Sequence, residues 1–362
     1  MTRRKAVVAM SGGVDSSVAA ALLVERGYDV TGVMLKLWKG DAASSNSGCC
    51  NLGAAEDARR VADVLGIPFY VLNFADHFEA TVRRDFHEGY LAGRTPNPCV
   101  RCNHWVKFDA LLEKAAALGA HVLATGHYAR VAERDGRYRL YRGTDRAKDQ
   151  SYVLWMLTQR QLSRCLFPVG AQEKSVTRAI AADLGLRTAR KPDSQEICFV
   201  RDGDFDAYVG ENLAAAAVPG PILDERGAVV GAHRGIGRYT VGQRKGLGIA
   251  LGRPVFVTSI DAASNVVRVG ERRDLAVDAV SLAEASFAGD PVPDGTEVLV
   301  QYRAHGDAYP AVVEGTRVRF DAPVEAVAPG QSAALYSAAD PSELLGGGIV
   351  ASTFPARAAS VG

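Results

Sequence analysis

The sequence predicts an α/β protein: a parallel sheet covered by helices, followed by a small central domain and a C-terminal β-barrel. Three observations carry that expectation. Up to about Gly203, short β-rich runs alternate with longer helical patterns, as in a sheet built from strand–helix–strand crossovers. Beyond it glycines multiply and helical periodicity fades. From about Leu275 the pattern is all-β, with runs such as VLVQYRAH, AYPAVVEG and TRVRFD separated by turn residues at short intervals. The expected units are therefore 1–203, 204–274 and 275–356, with 357–362 a tail that has too little to bury to stay ordered.

In the first unit, strands are expected at Lys5 to Met10, Val30 to Leu37, Phe69 to Asn73 and His121 to Thr125. Between them Ala54, Ala58, Val61, Ala62 and Leu65 fall at helical spacing with charges on the other side, which predicts a helix lying on the sheet. Pro254 to Ile260 and Val266 to Val269 read as short strands of the central unit.

Length and composition narrow the function classes. The 362 residues exceed the roughly 250 at which one core stops growing. Apolar residues at 48% and charged ones at 23% are globular proportions, which excludes a chain disordered throughout. A formal net charge of +1 means that a nucleic acid would be held by local basic patches, without a field from the whole molecule. No segment approaches the roughly 18 apolar residues of a membrane span, and the opening MTRRKAVVAM is too short in apolar residues for a signal peptide. The expected location is the cytoplasm, with no membrane partner. There the six cysteines stay mostly reduced, so close-set ones point to metal binding or catalysis.

The first strand runs into Ser11, Gly12, Gly13, Val14, Asp15, Ser16 and Ser17, and a helical pattern starts at once with Val18, Leu22 and Leu23. A helix N-terminus behind a glycine turn offers free backbone N–H groups and a positive dipole end to an anion. A bare glycine pair before a helix is common in α/β folds; the whole string SGGVDSS is more specific. No Walker-type G-x-x-x-x-G-K-[ST] string occurs, which disfavours a kinase or GTPase of that class.

Cys99 and Cys102 lie in RTPNPCVRCNHWVKF, and Cys198 lies far along the chain in PDSQEICFVRDGDF. A C-x-x-C pair serves as half a zinc site, as a redox pair, or arises by chance. Zinc is disfavoured because neither a second C-x-x-C nor an H-x-x-x-H supplies the remaining ligands. Pro96 and Pro98 predict an exposed, stiffened loop with an accessible thiol that Arg101 could activate. Cys49, Cys50 and Cys165 lie outside the pattern and read as core or bystander residues.

The string SGGVDSS resembles the pyrophosphate loop of the PP-loop ATP pyrophosphatases, whose domain is of the adenine nucleotide α hydrolase-like type. TPNPCVRCN, TGHYAR at 125–130, KDQSYVLW at 148–155, DSQEICF at 193–199, TVGQRKGLGI at 240–249 and PGQSA at 329–333 then follow one another as in the tRNA-specific 2-thiouridylases. The resemblance covers nearly the whole chain. It implies ATP bound by Ala9, Met10, Ser11, Gly12, Gly13, Val14, Asp15, Ser16, Leu35 and Gly126, with magnesium on the phosphates and Asp15 helping to hold it. It implies Cys102 as nucleophile and Cys198 as the residue that carries persulfide sulfur, joined in a catalytic disulfide during turnover. Asn97, Pro98 and Cys99 would lie against the target base, and His127, Lys148, Asp149, Gln150 and Gln331 would touch tRNA. One departure is Cys99, where many members have aspartate, so an acid–base role there is in doubt.

What the family does implies a reaction. ATP adenylates the 2-oxygen of the wobble uridine in the anticodon loop, and sulfur from a cysteine desulfurase or relay protein replaces it, giving 2-thiouridine, AMP and diphosphate. The stretch Arg234 to Arg253, with Arg234, Arg238, Arg244, Lys245 and Arg253 and no acid among them, would neutralise RNA phosphates. Tyr302 and Arg303, expected exposed on a strand, would add stacking and phosphate contacts. An alternative chemistry is an iron–sulfur cluster held by Cys99, Cys102 and Cys198. The rival functions are an ATP pyrophosphatase of small molecules, which would not need Cys198, and a non-catalytic metal- or RNA-binding protein.

Overall fold

The computed structural model describes residues 3–38, 52–193 and 197–356, with Asp202 described through its backbone alone. Cys49, Cys50, the Ser194 to Glu196 part of DSQEICF and the tail 357–362 lie outside the described residues. The first sheet is parallel, five-stranded and ordered β3-β2-β1-β4-β7, from β1 (Lys5–Ala9), β2 (Asp29–Lys36), β3 (Phe69–Asn73), β4 (Val122–Ala124) and β7 (Cys165–Leu166). The middle strands are apolar runs, as parallel strands covered on both faces must be: Val8, Leu123 and Ala124 have no exposed surface. Helix α1 (Val14–Glu25) leaves β1 directly, and α2 (Leu52–Leu65) buries Ala54, Ala58, Val61 and Ala62, with Leu65 only half-buried.

Order reverses at β1, which pairs with β2 on one side and β4 on the other. Such a reversal opens a crevice at the carboxyl ends of the strands, where open α/β sheets place their ligands.

The C-terminal region is a barrel of β12 (Ala276–Phe287), β13 (Glu297–Gln301), β14 (Tyr309–Glu314), β15 (Arg317–Glu325), β16 (Ser332–Ser337) and β17 (Glu343–Pro355), closed by pairing of β12 with β17. Closure leaves no open sheet edge in the ring. Its core includes Val280, Val300 and Val350, each without exposed surface. A four-stranded sheet, β10-β11-β8-β9, lies between in sequence, from β8 (Gly220–Leu223), β9 (Val229–His233), β10 (Phe256–Asp261) and β11 (Val266–Gly270). Helical structure does not end at Gly203: Phe205–Asn212 is a helix capped by the Asp204 carboxylate, which accepts from the Ala207 N–H at 2.9 Å.

One connection breaks the expected segregation of units. The hairpin β5 (Ala129–Arg134) and β6 (Arg137–Arg142) turns away from the parallel sheet and joins the barrel sheet, Glu343 facing Tyr141 and Leu344 facing Leu140. Nothing in the local pattern of the hairpin signals a partner two hundred positions away.

Candidate active site

The glycine loop and Gly126 meet at the crevice. Gly13 is the extended N-cap of α1, and the hydroxyls of Ser16 and Ser17 donate back to its carbonyl at 3.2 and 2.8 Å. Gly12 has φ of 70°, a conformation costly for any residue with a Cβ, and a Cβ there would sit 2.2 Å from the Ala54 carbonyl oxygen. A Cβ on Gly126 would come within 2.6 Å of the Ser16 nitrogen, so only glycine lets the end of β4 pass the start of α1. The cavity formed there, about 330 Å³, is lined by every residue expected to bind nucleotide, from Ala9 to Ser16 with Leu35 and Gly126.

Its charge is lopsided. Lys107, Lys148, Lys174 and Lys191 line it against Asp15 and Asp193. Lys174 donates to both oxygens of Asp15 at 2.7 and 2.8 Å and reaches Asp193 at 2.8 Å. The Tyr128 hydroxyl donates to Asp15 at 3.0 Å. Asp193 also accepts from Lys148 at 2.9 Å and Arg178 at 3.0 Å. Burial works against the Asp193 charge, yet the hydrogen bonds from Lys174 and Lys148 outweigh it and hold the carboxyl below its usual range. Met10, Val33, Met34 and Leu37 supply the cavity with apolar lining. Sequence reasoning found Lys148 but missed Lys107, Lys174 and Lys191; a lone lysine inside a helix, at a helix start or in a loop carries no local mark of the cavity it will face.

Two expectations for metals fail the fit. Asp15 is engaged by the Lys174 ammonium through both oxygens, so the residues present do not offer it to magnesium. Among the described residues no three His, Cys, Asp or Glu side chains gather in a metal-binding set. Cys99, Cys102 and Cys198 therefore do not form a cluster site, and no step here passes through either group.

The thiols differ in setting from the expected open loop. Pro98–Arg101 is helical and continues as a wider helix through Cys102–Leu111. Asn97 caps it, its side-chain oxygen accepting from the N–H groups of Cys99 and Val100 at 3.0 and 3.4 Å, and Pro98 fits the first turn because it lacks an N–H. Cys99 is exposed and Cys102 buried. Arg101, expected to activate a thiol, is buried, forks onto Glu284 at 2.6 and 2.8 Å, reaches Asp85 at 3.1 Å and lies over the Trp105 ring. It ties the Cys102 helix to barrel strand β12. Gln331 adds a second tie, donating to the Thr95 carbonyl at 2.9 Å, while the Thr95 N–H donates to Pro329.

Cys198 is half-buried against the same apolar cluster that contains Cys102. Its neighbour Phe199 packs edge-on against Phe86 and Phe78, 5.1 and 5.7 Å between centroids. Among the described cysteines, Cys99, Cys102, Cys165 and Cys198, none is joined in a disulfide. Neither Cys102 nor Cys198 lines the cavity, but Lys107 on the first thiol's helix and Asp193 in the second's motif both do. Cys165 is a core residue on β7 whose thiol burial pushes far above its ordinary pKa, as a bystander's should be.

Several residues expected to touch RNA are placed elsewhere. Asp149 is buried, paired with Arg142 at 2.8 Å and further held by the Gly143 and Ser151 N–H groups and the Ser151 hydroxyl. A carboxylate in that position has no surface for phosphate or base. His127 is buried between Phe108 and Phe167, its Nδ1 2.6 Å from the Thr125 hydroxyl; burial, then Lys107, keeps it neutral. Gln150 accepts from the Tyr128 N–H and lines the cavity with Lys148. Tyr302 is buried, stacked on Tyr309, with its hydroxyl donating to the Glu325 carbonyl, whereas Arg303 is exposed as expected and donates to the carbonyls of Glu325 and Ala326. Within the basic stretch Arg234 and Arg238 pair with Asp206, and Arg253 with Glu225 and Glu271. Arg244 and Lys245 remain exposed.

A glycine turn at a sheet's switch point, opening a helix beside a lysine-rich cavity with apolar lining, defines a nucleotide-binding α/β domain. Residues 4–202 match the family described as tRNA methyl transferase HUP domain, 206–271 the tRNA methyl transferase PRC-barrel domain and 277–350 the Aminomethyltransferase beta-barrel domain. The tRNA-specific 2-thiouridylase MnmA of Carboxydothermus hydrogenoformans is 47% identical over 359 residues, covering 96% of this chain and 98% of its own length. The enzyme of the same name from Heliobacterium modesticaldum is 50% identical over 91% of this chain and 89% of its own. A solved 4-thiouridine synthetase–RNA complex with bound ATP aligns with a TM-score of 0.36 and 17% identity, over 58% of this chain and 50% of that one. The chain belongs to the tRNA-specific 2-thiouridylase family.

Proposed function

We infer that this protein is a tRNA-uridine 2-sulfurtransferase, consuming ATP to place sulfur on the wobble uridine. The observation that carries the reading is the lysine-rich cavity at the glycine loop, into which both cysteine-bearing segments run one residue, Lys107 and Asp193. The glycine loop and lysines suit a triphosphate, and the apolar lining suits a nucleoside base. ATP adenylates the 2-oxygen of a uridine turned out of the anticodon stack, which makes C2 electrophilic and releases diphosphate.

Cys198, loaded as a persulfide by a desulfurase or relay protein, brings sulfur. In one route the Cys102 thiolate attacks the Cys198 sulfur, forming a Cys102–Cys198 disulfide and releasing hydrosulfide, which displaces AMP from C2. In the other the terminal persulfide sulfur attacks C2 and displaces AMP, and the Cys102 thiolate then attacks the Cys198 sulfur, breaking the persulfide S–S bond to leave sulfur on the base and a Cys102–Cys198 disulfide. Exposed Arg244 and Lys245 serve the RNA backbone, and Asn97, Pro98 and Cys99 face the base. The work is cytoplasmic, and no helix among the described residues is long and apolar enough to cross a membrane. We divide the chain at 203 and 274, with catalysis assigned to the first unit.

The test combines purified protein, ATP, a persulfide donor and unmodified tRNA, with 2-thiouridine read by mass spectrometry. Wild type forms it, and Cys198→Ser and Cys102→Ser do not while still binding ATP. Thiolation by the Cys198→Ser variant, or turnover of ATP on a small molecule without RNA, overturns the reading.

A further inference from the structure

Asp193 occupies an unusual place for a carboxylate in a cavity built for an anion. Both its oxygens are engaged: Oδ2 accepts from Lys148 at 2.9 Å, and Oδ1 accepts from Arg178 at 3.0 Å with Lys174 at 2.8 Å. Lys148 and Lys174 line the cavity together with the glycine loop, and so does Asp193 itself. A carboxylate and a phosphate present the same feature to an ammonium group, a delocalised negative charge on oxygens held at hydrogen-bond distance.

We propose that Asp193 is an internal competitor for the phosphates of ATP, holding the Lys148 and Lys174 ammonium groups that the polyphosphate must take over. The proposal rests on the reading of this cavity as the ATP site. Arg178 is the one cation of the three that does not line the cavity, and it is anchored separately by the carbonyls of Ala189 and Lys191 at 2.7 and 3.0 Å. Asp193 thus retains Arg178 as a partner when the two lysines turn to phosphate. Lys174 keeps Asp15 in either arrangement, through both its oxygens. The exchange moves no covalent bond, and it sets ATP affinity by a difference between two ion pairs, below what the lysines alone would give.

Isothermal titration with ATP, inorganic diphosphate and adenosine tests this on the full chain. Asp193→Asn should tighten ATP and diphosphate roughly tenfold, the size of one charge-assisted hydrogen bond set free, and leave adenosine unchanged. A carboxylate that merely supports the fold gives the opposite sign, so equal or weaker ATP binding by a folded Asp193→Asn overturns the proposal. Should that variant fail to fold, Arg178→Met supplies the second arm at constant pH: with its separate cation gone, Asp193 leans on Lys148 and Lys174 alone, so ATP and diphosphate weaken while adenosine is unchanged. Diphosphate binding that is unchanged or tighter in a folded Arg178→Met overturns the proposal. If wild type binds neither ATP nor diphosphate, the reading of the cavity itself falls, and that result is distinct from either of the others.

Discussion

The cavity lysines and the basic stretch from Arg234 to Arg253 look alike on paper, as cations suited to phosphates, yet the fold arranges them differently. In the basic stretch three of the five cations named from sequence meet acids from other segments, Asp206, Glu225 and Glu271. Around the glycine loop Lys148, Lys174 and Lys191 meet acids as well, Asp193, Asp15 and Asp57, but lysines from four separate segments converge there on one concave surface. A run of charge in sequence is therefore a poor guide to an anion site, because partners arrive from elsewhere. Convergence on a cavity is the better guide, and it is a property of tertiary structure.

The sharpest way to break the comparison is at Arg142, the extreme of a cation answered inside the chain. It is buried, bonded to Asp149 and Gln301 at 2.8 Å each, and lies over the Tyr336 ring. Arg142→Leu leaves Asp149 buried without its cation and should cost about 3–5 kcal/mol in denaturant unfolding. A loss confined to tRNA affinity, with stability intact, would return Asp149 to the RNA-contacting role read from sequence.

Gly12→Ala comes next. A positive φ and a Cβ driven into the Ala54 carbonyl should together cost roughly 2–4 kcal/mol and move the loop enough to weaken ATP. ATP binding that survives unchanged would detach the loop from the nucleotide.

His127 gives a smaller effect with a definite sign. Its pKa in the fold lies well below the ordinary 6.5, so as pH falls through that value the unfolded chain takes a proton that the folded chain refuses. Stability is full above about pH 6.5 and is lost on acidification, at about 1.4 kcal/mol per pH unit from this group. His127→Gln should remove about 1 kcal/mol of the stability lost between pH 6.5 and 5.5 in thermal or urea melts, where the unfolded histidine is still titrating.

The smallest effect separates the two kinds of cation directly. Replacing Arg244 and Lys245 by alanine should lower the salt slope of tRNA binding by roughly one to two, whereas alanine at Arg234 and Arg238 should leave it unchanged. A larger change from the paired arginines would reverse the comparison.

The elements that carry the cavity were legible because their signals are local. An apolar run and a glycine turn place β1 within a residue of where it lies, α1 begins at Val14, four residues before the Val18 at which its helical pattern was read, and α2 buries four of the five residues its spacing selects. The thiol neighbourhood was less legible. Asn97 and Pro98 are helix-start residues, but two prolines also read as a loop, and the choice went to the helix that packs Cys102 inside. Asp149 and Tyr302 have polar atoms that sequence assigns to a ligand by default, while the fold pairs them with Arg142 and with the Glu325 carbonyl.

By itself, then, the sequence determined the order of units and the glycine loop, since backbone preferences and spaced apolar residues act over a few positions. Only tertiary structure decided which charges face the cavity, that Arg101 braces the Cys102 helix against the barrel, and that the β5–β6 hairpin joins that barrel. Those outcomes depend on partners as much as two hundred positions apart. An ion pair or a strand ladder is stable only where the whole fold brings both halves to one place and removes water from between them.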